Sequence, residues 1–240
     1  MNFAFQADRR QSMDSQPTVV FLHGAGTGAW VWDRVTQALD RPAIALEVPG
    51  RTVGATPDGC ASQLVEQLYR QGIGSVTVVL HSLAGVLAPA LAARLGSRLS
   101  HCIFVSAVIP PAGQSFIDTL GIANRLILRV LFAFNRGGLK PSPAMIRNEL
   151  CNDLSEEDAA MVVTRYAAEM PGLYLTPVGD LPSALRCGYV KLLQDRSVLP
   201  AQQNRMITRL GNPCVHEIDA GHLAMLSTPT LLAELLQREA

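Results

Sequence analysis

Runs of apolar, largely β-branched residues recur along the chain at Thr18–Leu22, Ala43–Val48, Val76–Leu80, Cys102–Val105, Tyr189–Leu193 and Cys214–Ile218. Most are continuous rather than alternating, which is the pattern of strands covered on both faces. Segments with helical spacing lie between several of them, at Trp32–Leu39, Cys60–Gln71, Leu83–Leu95, Ala201–Leu210 and Thr230–Glu239. Strands joined by crossover helices predict an α/β fold with a mostly parallel sheet flanked by helices. Pro89 falls inside one predicted helix and cannot donate to the Gly85 carbonyl, so a kink is expected there.

The rhythm breaks between Pro110 and Arg186, where helical patterns replace strands around Phe116–Phe134, Ala144–Cys151 and Glu156–Glu169. An insertion of this kind between two strands predicts a helical cap over one edge of the sheet. The expected organisation is a single domain over residues 1–240, with a core of 17–110 and 187–240 and a cap of 111–186. The apolar residues of Phe116–Phe134 surround the helix instead of forming one stripe, which predicts burial of two faces, one on the sheet domain and one over a substrate pocket. Arg125 and Arg129 share one side of that helix and are expected to face water.

Composition narrows the function classes. The chain is 48% hydrophobic and 17% charged, enough apolar material for a large core. Twenty basic residues balance twenty acidic ones, so no positive field gathers nucleic acid or anionic lipid. Lys140 and Lys191 are the only lysines, which leaves few candidates for Schiff-base chemistry. The five cysteines are scattered without a CxxC pair and read as reduced thiols, with no metal implied. Met1–Pro17 holds no apolar run of secretory length, and Leu120–Phe134 is short and interrupted by Arg125 and Arg129. A cytoplasmic protein without membrane insertion is expected, acting on a small molecule, with room for a homo-oligomer.

In an open parallel sheet, ligands gather at the carboxyl ends of the strands. Those positions carry the candidate chemistry here. The strand ending at Leu80 runs into His81-Ser82-Leu83-Ala84-Gly85. A serine in a tight strand-to-helix turn has an exposed hydroxyl facing the first amides of the helix, as a nucleophile requires. The usual G-x-S-x-G pattern is altered, with Leu80 and Ala84 in the glycine positions, although Ala84 and Gly85 keep one side small. Read alone, Ser82 is a helix cap. Asp195 and His222 change that reading, because they follow later strands in the order Ser, Asp, His and supply the base and the carboxylate that a serine nucleophile needs. Asp219 is the rival acid but lies only three residues before His222, and the position after Val105 holds Ser106 instead of a carboxylate.

Several stretches together resemble the α/β-hydrolase family, in particular its small capped esterase and hydroxynitrile lyase-like group. They are HGAGTGAWVW at His23–Trp32, VPG at Val48–Gly50, HSLAG at His81–Gly85, LCNDLSEEDAA at Leu150–Ala160, DRSVLPAQQNRM at Asp195–Met206 and AGHLAML at Ala220–Leu226. The resemblance implies a serine hydrolase that cleaves an ester, thioester or lactone through an acyl-enzyme, without a cofactor. It places the oxyanion hole at the backbone N–H groups of Ala25 and Leu83 and makes His23 a loop organiser. Candidate pocket residues are Phe116, Leu120, Met161 and Tyr166, with Met170 as a further one. Related plant lyases carry a lysine directly after the triad histidine; Leu223 stands there in this chain.

Two other readings stay open at this level. A non-hydrolytic member of the same fold, a lyase or a ligand receptor, would share the motifs. A nicotinamide-dependent oxidoreductase would use Gly24-Ala25-Gly26-Thr27-Gly28-Ala29 as a dinucleotide fingerprint, with Glu47 on the ribose. It lacks a Tyr-x-x-x-Lys pair and leaves Ser82, Asp195 and His222 unexplained.

Overall fold

Each of the six apolar runs becomes a strand in the computed structural model, which describes residues 16–211 and 213–239. They are β1 (Thr18–Leu22), β2 (Ala43–Leu46), β3 (Val76–His81), β4 (Leu99–Val105), β5 (Cys187–Leu192) and β6 (Cys214–Ile218). They form one sheet in the order β2-β1-β3-β4-β5-β6, and every pair is parallel. The reading of Met1–Pro17 as free of a secretory segment falls almost wholly outside the described residues.

Continuous apolar strands are explained by two cores, one on each face. Val20, Leu22, Val78 and Leu80 point to one side and join Leu64, Leu68 and Leu91; Val19, Phe21, Val79 and Ile103 point to the other and join Trp32, Leu232 and Leu236. Successive strand residues thus feed opposite layers, so both parities must be apolar. The covering helices of the core are α1 (Asp33–Ala38), α2 (Pro57–Arg70) and α3 (Ala88–Leu95) before the insertion, then α8 (Pro200–Arg209), α9 (Ala224–Ser227) and α10 (Pro229–Glu239) after it. The start of α2 is written in its sequence: Thr56 caps it by accepting the Gly59 N–H at 3.1 Å, and Pro57 occupies the first turn.

Pro89 does not kink a long helix. Residues Ser82–Leu87 wind as a 3-10 turn, α3 begins anew at Ala88, and Pro89 sits in its first turn, where no intrahelical donor is needed.

Between β4 and β5 lie a short 3-10 turn (Phe116–Thr119) and the helices α4 (Ile122–Phe134), α5 (Pro143–Leu150), α6 (Glu156–Arg165) and α7 (Gly172–Leu175). Ser142 and Ser155 cap α5 and α6. The expectation of two buried faces for Phe116–Phe134 is corrected: within α4 only Phe132 is buried, whereas Ile122, Leu126, Ile127, Val130, Leu131 and Phe134 face outward. The helix is held along one edge, by the Phe132 ring on Tyr174 and by Arg125 and Arg129 on Asp118 at 2.9 and 3.8 Å. Among the described residues no helix is long and apolar enough to cross a membrane.

Candidate active site

The turn after β3 is strained as a nucleophile turn should be. Ser82 has φ of 53°, a left-handed conformation unusual for any residue with a Cβ. Packing around it explains which neighbours must be small. A Cβ on Gly24 would lie 2.7 Å from Ser82 Cβ, and one on Gly85 would lie 2.2 Å from the Val108 carbonyl oxygen. The glycine demanded by this turn is therefore Gly85, one place beyond the usual pattern, while Ala84 is accommodated in the core. Leu80, in place of the first glycine, is a fully buried core residue of β3. Because the obstacle at Gly85 is backbone that cannot swing away, Gly85→Ala is expected to destabilise the fold by about 2–4 kcal/mol. A thermal unfolding midpoint lowered by roughly 5–15 °C is the corresponding measurement.

Ser82, His222 and Asp195 come together through three different strand ends. His222 Nε2 is 3.1 Å from Ser82 Oγ, and His222 Nδ1 is 2.7 Å from Asp195 Oδ2. All three side chains are buried. Asp195 is saturated with donors: its Oδ1 accepts the N–H groups of Ser197 and Val198 at 2.7 and 2.8 Å, and its Oδ2 also accepts the Ser106 hydroxyl at 2.6 Å. Burial alone would raise the Asp195 pKa, but His222, the Ser106 hydroxyl and the Val198 amide outweigh it and hold the carboxyl below its ordinary value. Asp219 points elsewhere, accepting the Gln194 amide at 2.8 Å.

Ser106 was read from sequence only as a missing carboxylate. It is instead a donor to the acid, held in a left-handed conformation (φ 41°) just past β4. His81 is a second residue whose role was not read. Buried behind the site, it contacts the His222 carbonyl through Nε2 at 2.9 Å and packs its ring 4.6 Å from that of His222. Burial, and then the neighbouring His222, push its pKa well down, so it is neutral and carries no competing charge. The insertion also reaches the site: Asp153 accepts the Gly221 N–H at 2.6 Å and fixes the backbone immediately before His222.

The loop after β1 is tied from both sides. His23 accepts the Val48 N–H on Nε2 at 3.0 Å and contacts the Gly24 carbonyl through Nδ1 at 2.8 Å, which anchors the loop to the end of β2. On the insertion side, buried Glu169 accepts the Gly26 N–H at 2.6 Å and pairs with Arg51 at 2.8 Å, while Arg51 also donates to the Thr27 carbonyl. Ala25 and Leu83, whose amides were expected to form the oxyanion hole, line one cavity with Val48, Gly50, Glu169 and Leu173.

The four expected pocket residues separate. Phe116 and Leu120 line a cleft with Val108, Val198 and Met206, beside the loop that carries Asp195. Tyr166 covers the loop after β1 so closely that a Cβ on Gly26 would lie 2.0 Å from its ring. Met161 lines neither of these two cavities and packs, half-buried, against the core on the Trp32 side of the sheet. Its position on α6 turns it toward that core, which spacing alone does not reveal.

The dinucleotide reading fails on this geometry. Glu47 accepts the Ala29 N–H at 2.8 Å, so its carboxylate is already engaged. Gly28 leads into a 3-10 turn (Ala29–Trp32), where a fingerprint would open a helix toward phosphate.

The sheet order, the strained serine turn and the three converging side chains define an α/β hydrolase. Residues 19–235 match the model of the alpha/beta hydrolase family, and the chain belongs to that family. It is 24% identical to Methylesterase 18 of Arabidopsis thaliana over 94% of this chain and 98% of that one. It is 28% identical to the probable esterase PIR7A of Oryza sativa over 92% of this chain and 95% of the other. Among solved structures, an extracellular α/β-hydrolase from a Paenibacillus species superposes with a TM-score of 0.82 at 18% identity, covering 93% of this chain and 98% of that one. That protein is described as sharing structural and functional homology with tobacco salicylic acid binding protein 2.

Proposed function

We propose that the protein is a serine carboxylesterase for small, uncharged, largely apolar esters. The observation that carries this reading is the unbroken line from Asp195 through His222 to Ser82 Oγ. Ser82 attacks the ester carbonyl, His222 takes its proton and returns it to the departing alcohol, and Asp195 stabilises the imidazolium that forms in between. The N–H groups of Ala25 and Leu83 receive the developing oxyanion, and water then cleaves the acyl-enzyme. The esterase names of the relatives support ester hydrolysis over the other reactions of the fold.

Preference for uncharged groups rests on the cavity beside Ala25 and Leu83. Its walls include Val48 and Leu173, and its one carboxylate, Glu169, is already paired with Arg51, so no free cation there awaits an anionic group. Leu223, fully buried after His222, offers no cation to a leaving cyanide.

The test is a series of p-nitrophenyl esters from acetate to decanoate, with a hemisuccinate for comparison. Each added methylene that finds apolar wall contributes about 0.8 kcal/mol, or roughly fourfold in kcat/KM, until the cavity is full. A mass increase of one acyl group on Ser82 in rapidly quenched samples identifies the intermediate. A flat profile, or preference for the hemisuccinate, rejects the apolar pocket; turnover without acylation of Ser82 rejects the mechanism. Release of cyanide from mandelonitrile above the uncatalysed background would favour a lyase instead.

A further inference from the structure

At the amino ends of β4, β5 and β6, opposite the catalytic end of the sheet, three potential metal ligands converge. Cys214 and His216 stand two apart on β6 and so project to the same side. Glu239, at the end of α10, reaches them. Cys214 Sγ is 3.3 Å from His216 Nε2 and 3.4 Å from Glu239 Oε1, and His216 Nε2 is 2.9 Å from the same oxygen. Zinc–ligand bonds of about 2.0–2.3 Å at tetrahedral angles separate neighbouring donors by about 3.3–3.7 Å. Two edges of the triangle fall in or near that range, and the third opens by a few tenths of an ångström.

A second observation is independent of this triangle. His101 on β4 is buried and contacts the Glu239 carbonyl oxygen through Nδ1 at 2.9 Å. With Nδ1 as the donor, Nε2 carries a lone pair, and it has no hydrogen-bond partner. Glu239 Oε2 is likewise buried without one. Both atoms border the space over Gly188 on β5, where a Cβ would lie 3.4 Å from His101 Nε2 and 3.6 Å from Glu239 Oε2. Two buried acceptors thus stand beside one glycine, each without a hydrogen-bond partner. Arg186 approaches Oε2 only to 4.0 Å and is largely exposed.

We propose that Cys214, His216 and Glu239 bind a zinc-class divalent cation, with His101 behind them holding Glu239 in place and solvent completing the coordination. A thiolate and a carboxylate neutralise the two charges of the ion, and the sulfur and imidazole donors select zinc over magnesium or calcium. Binding proceeds as the Cys214 thiol gives up its proton to solvent while its sulfur forms the bond to the metal, so one proton is released per ion. The ion would pin the end of α10 to β6, the edge strand of the sheet. This assignment is independent of the esterase reading, because the strand length puts the two sites about 15 Å apart.

Cobalt(II) titration of the untagged full chain tests it. One equivalent is expected to produce the intense visible bands of a tetrahedral ion and a thiolate-to-cobalt charge-transfer band, and excess zinc should bleach both. Cys214→Ser and His216→Ala are expected to abolish the charge-transfer band, with p-nitrophenyl ester hydrolysis unchanged within about twofold. His101→Gln is expected to weaken binding by about 10–100-fold. Zinc should raise the unfolding midpoint of the parent chain and leave that of Cys214→Ser where it is. Absence of the bands at one equivalent, or bands that survive Cys214→Ser, overturns the assignment.

Discussion

Ser82→Ala is expected to reduce kcat for a p-nitrophenyl ester by about 10⁴–10⁶, with the unfolding midpoint unchanged or raised. On the proposed mechanism the size follows from what is removed: without Oγ, His222 Nε2 loses the atom it would activate at 3.1 Å, and no acyl-enzyme forms. What survives is oxyanion stabilisation of direct attack by water, worth about 10³–10⁴ over the uncatalysed reaction. The fold should not suffer, because an alanine still fits and among the described residues the hydroxyl makes no hydrogen bond other than that to His222. Stability can even rise, since the left-handed backbone at φ 53° is maintained by packing around the turn rather than by the hydroxyl. A pure, folded variant that keeps more than a tenth of the parent kcat would show that Ser82 is not the nucleophile.

The convergence of Ser82, Asp195 and His222 was legible because strand ends in this fold are read locally. Each apolar run marks a strand, and the three candidates fall in order within four residues of the ends of β3, β5 and β6. Leu80 was harder, since the glycine rule at that place concerns contacts across the turn; the structure shows the close contact at Gly85 instead, against the Val108 carbonyl. The partners that support the triad were not legible. Ser106 reaches Asp195 across 89 residues, Asp153 reaches Gly221 across 68, and Glu169 reaches Gly26 across 143. No periodicity links such positions, and a lone Ser, Asp or Glu in a loop has many ordinary uses.

The misreading of Phe116–Phe134 has a related cause. An apolar circumference says that a helix has two hydrophobic faces, but not that the chain folds something against both. Here Phe132 is covered and Phe134 is 84% exposed, two residues later. Phe116 and Leu120, expected in the pocket, lie just before that helix in the 3-10 turn and its exit, where Phe116 also packs edge-on against Tyr174 at 5.2 Å.

Asp195→Asn is expected to lower kcat by about 10⁴, and the geometry says why so isosteric a change is so costly. Asp195 Oδ2 accepts from both His222 Nδ1 and the Ser106 hydroxyl, and Oδ1 accepts two backbone amides. Every direction around the carboxylate is thus filled by a donor. An asparagine must present its NH₂ to one of them: toward Oδ1 it meets the Ser197 and Val198 amides, and toward Oδ2 it meets His222, forcing Nδ1 to become the acceptor and Nε2 the protonated nitrogen. The second arrangement leaves no base facing Ser82. Two comparisons separate this account from a general loss of structure. Asp219→Asn alters only a hydrogen bond to Gln194 and should change kcat less than about threefold. Ser106→Ala removes one of four bonds to a carboxylate that stays charged, so its loss should be at least tenfold smaller than that of Asp195→Asn. Steady-state kinetics on the three purified variants gives the ranking, and a larger loss at Asp219 than at Asp195 would transfer the acid's role to the residue beside His222.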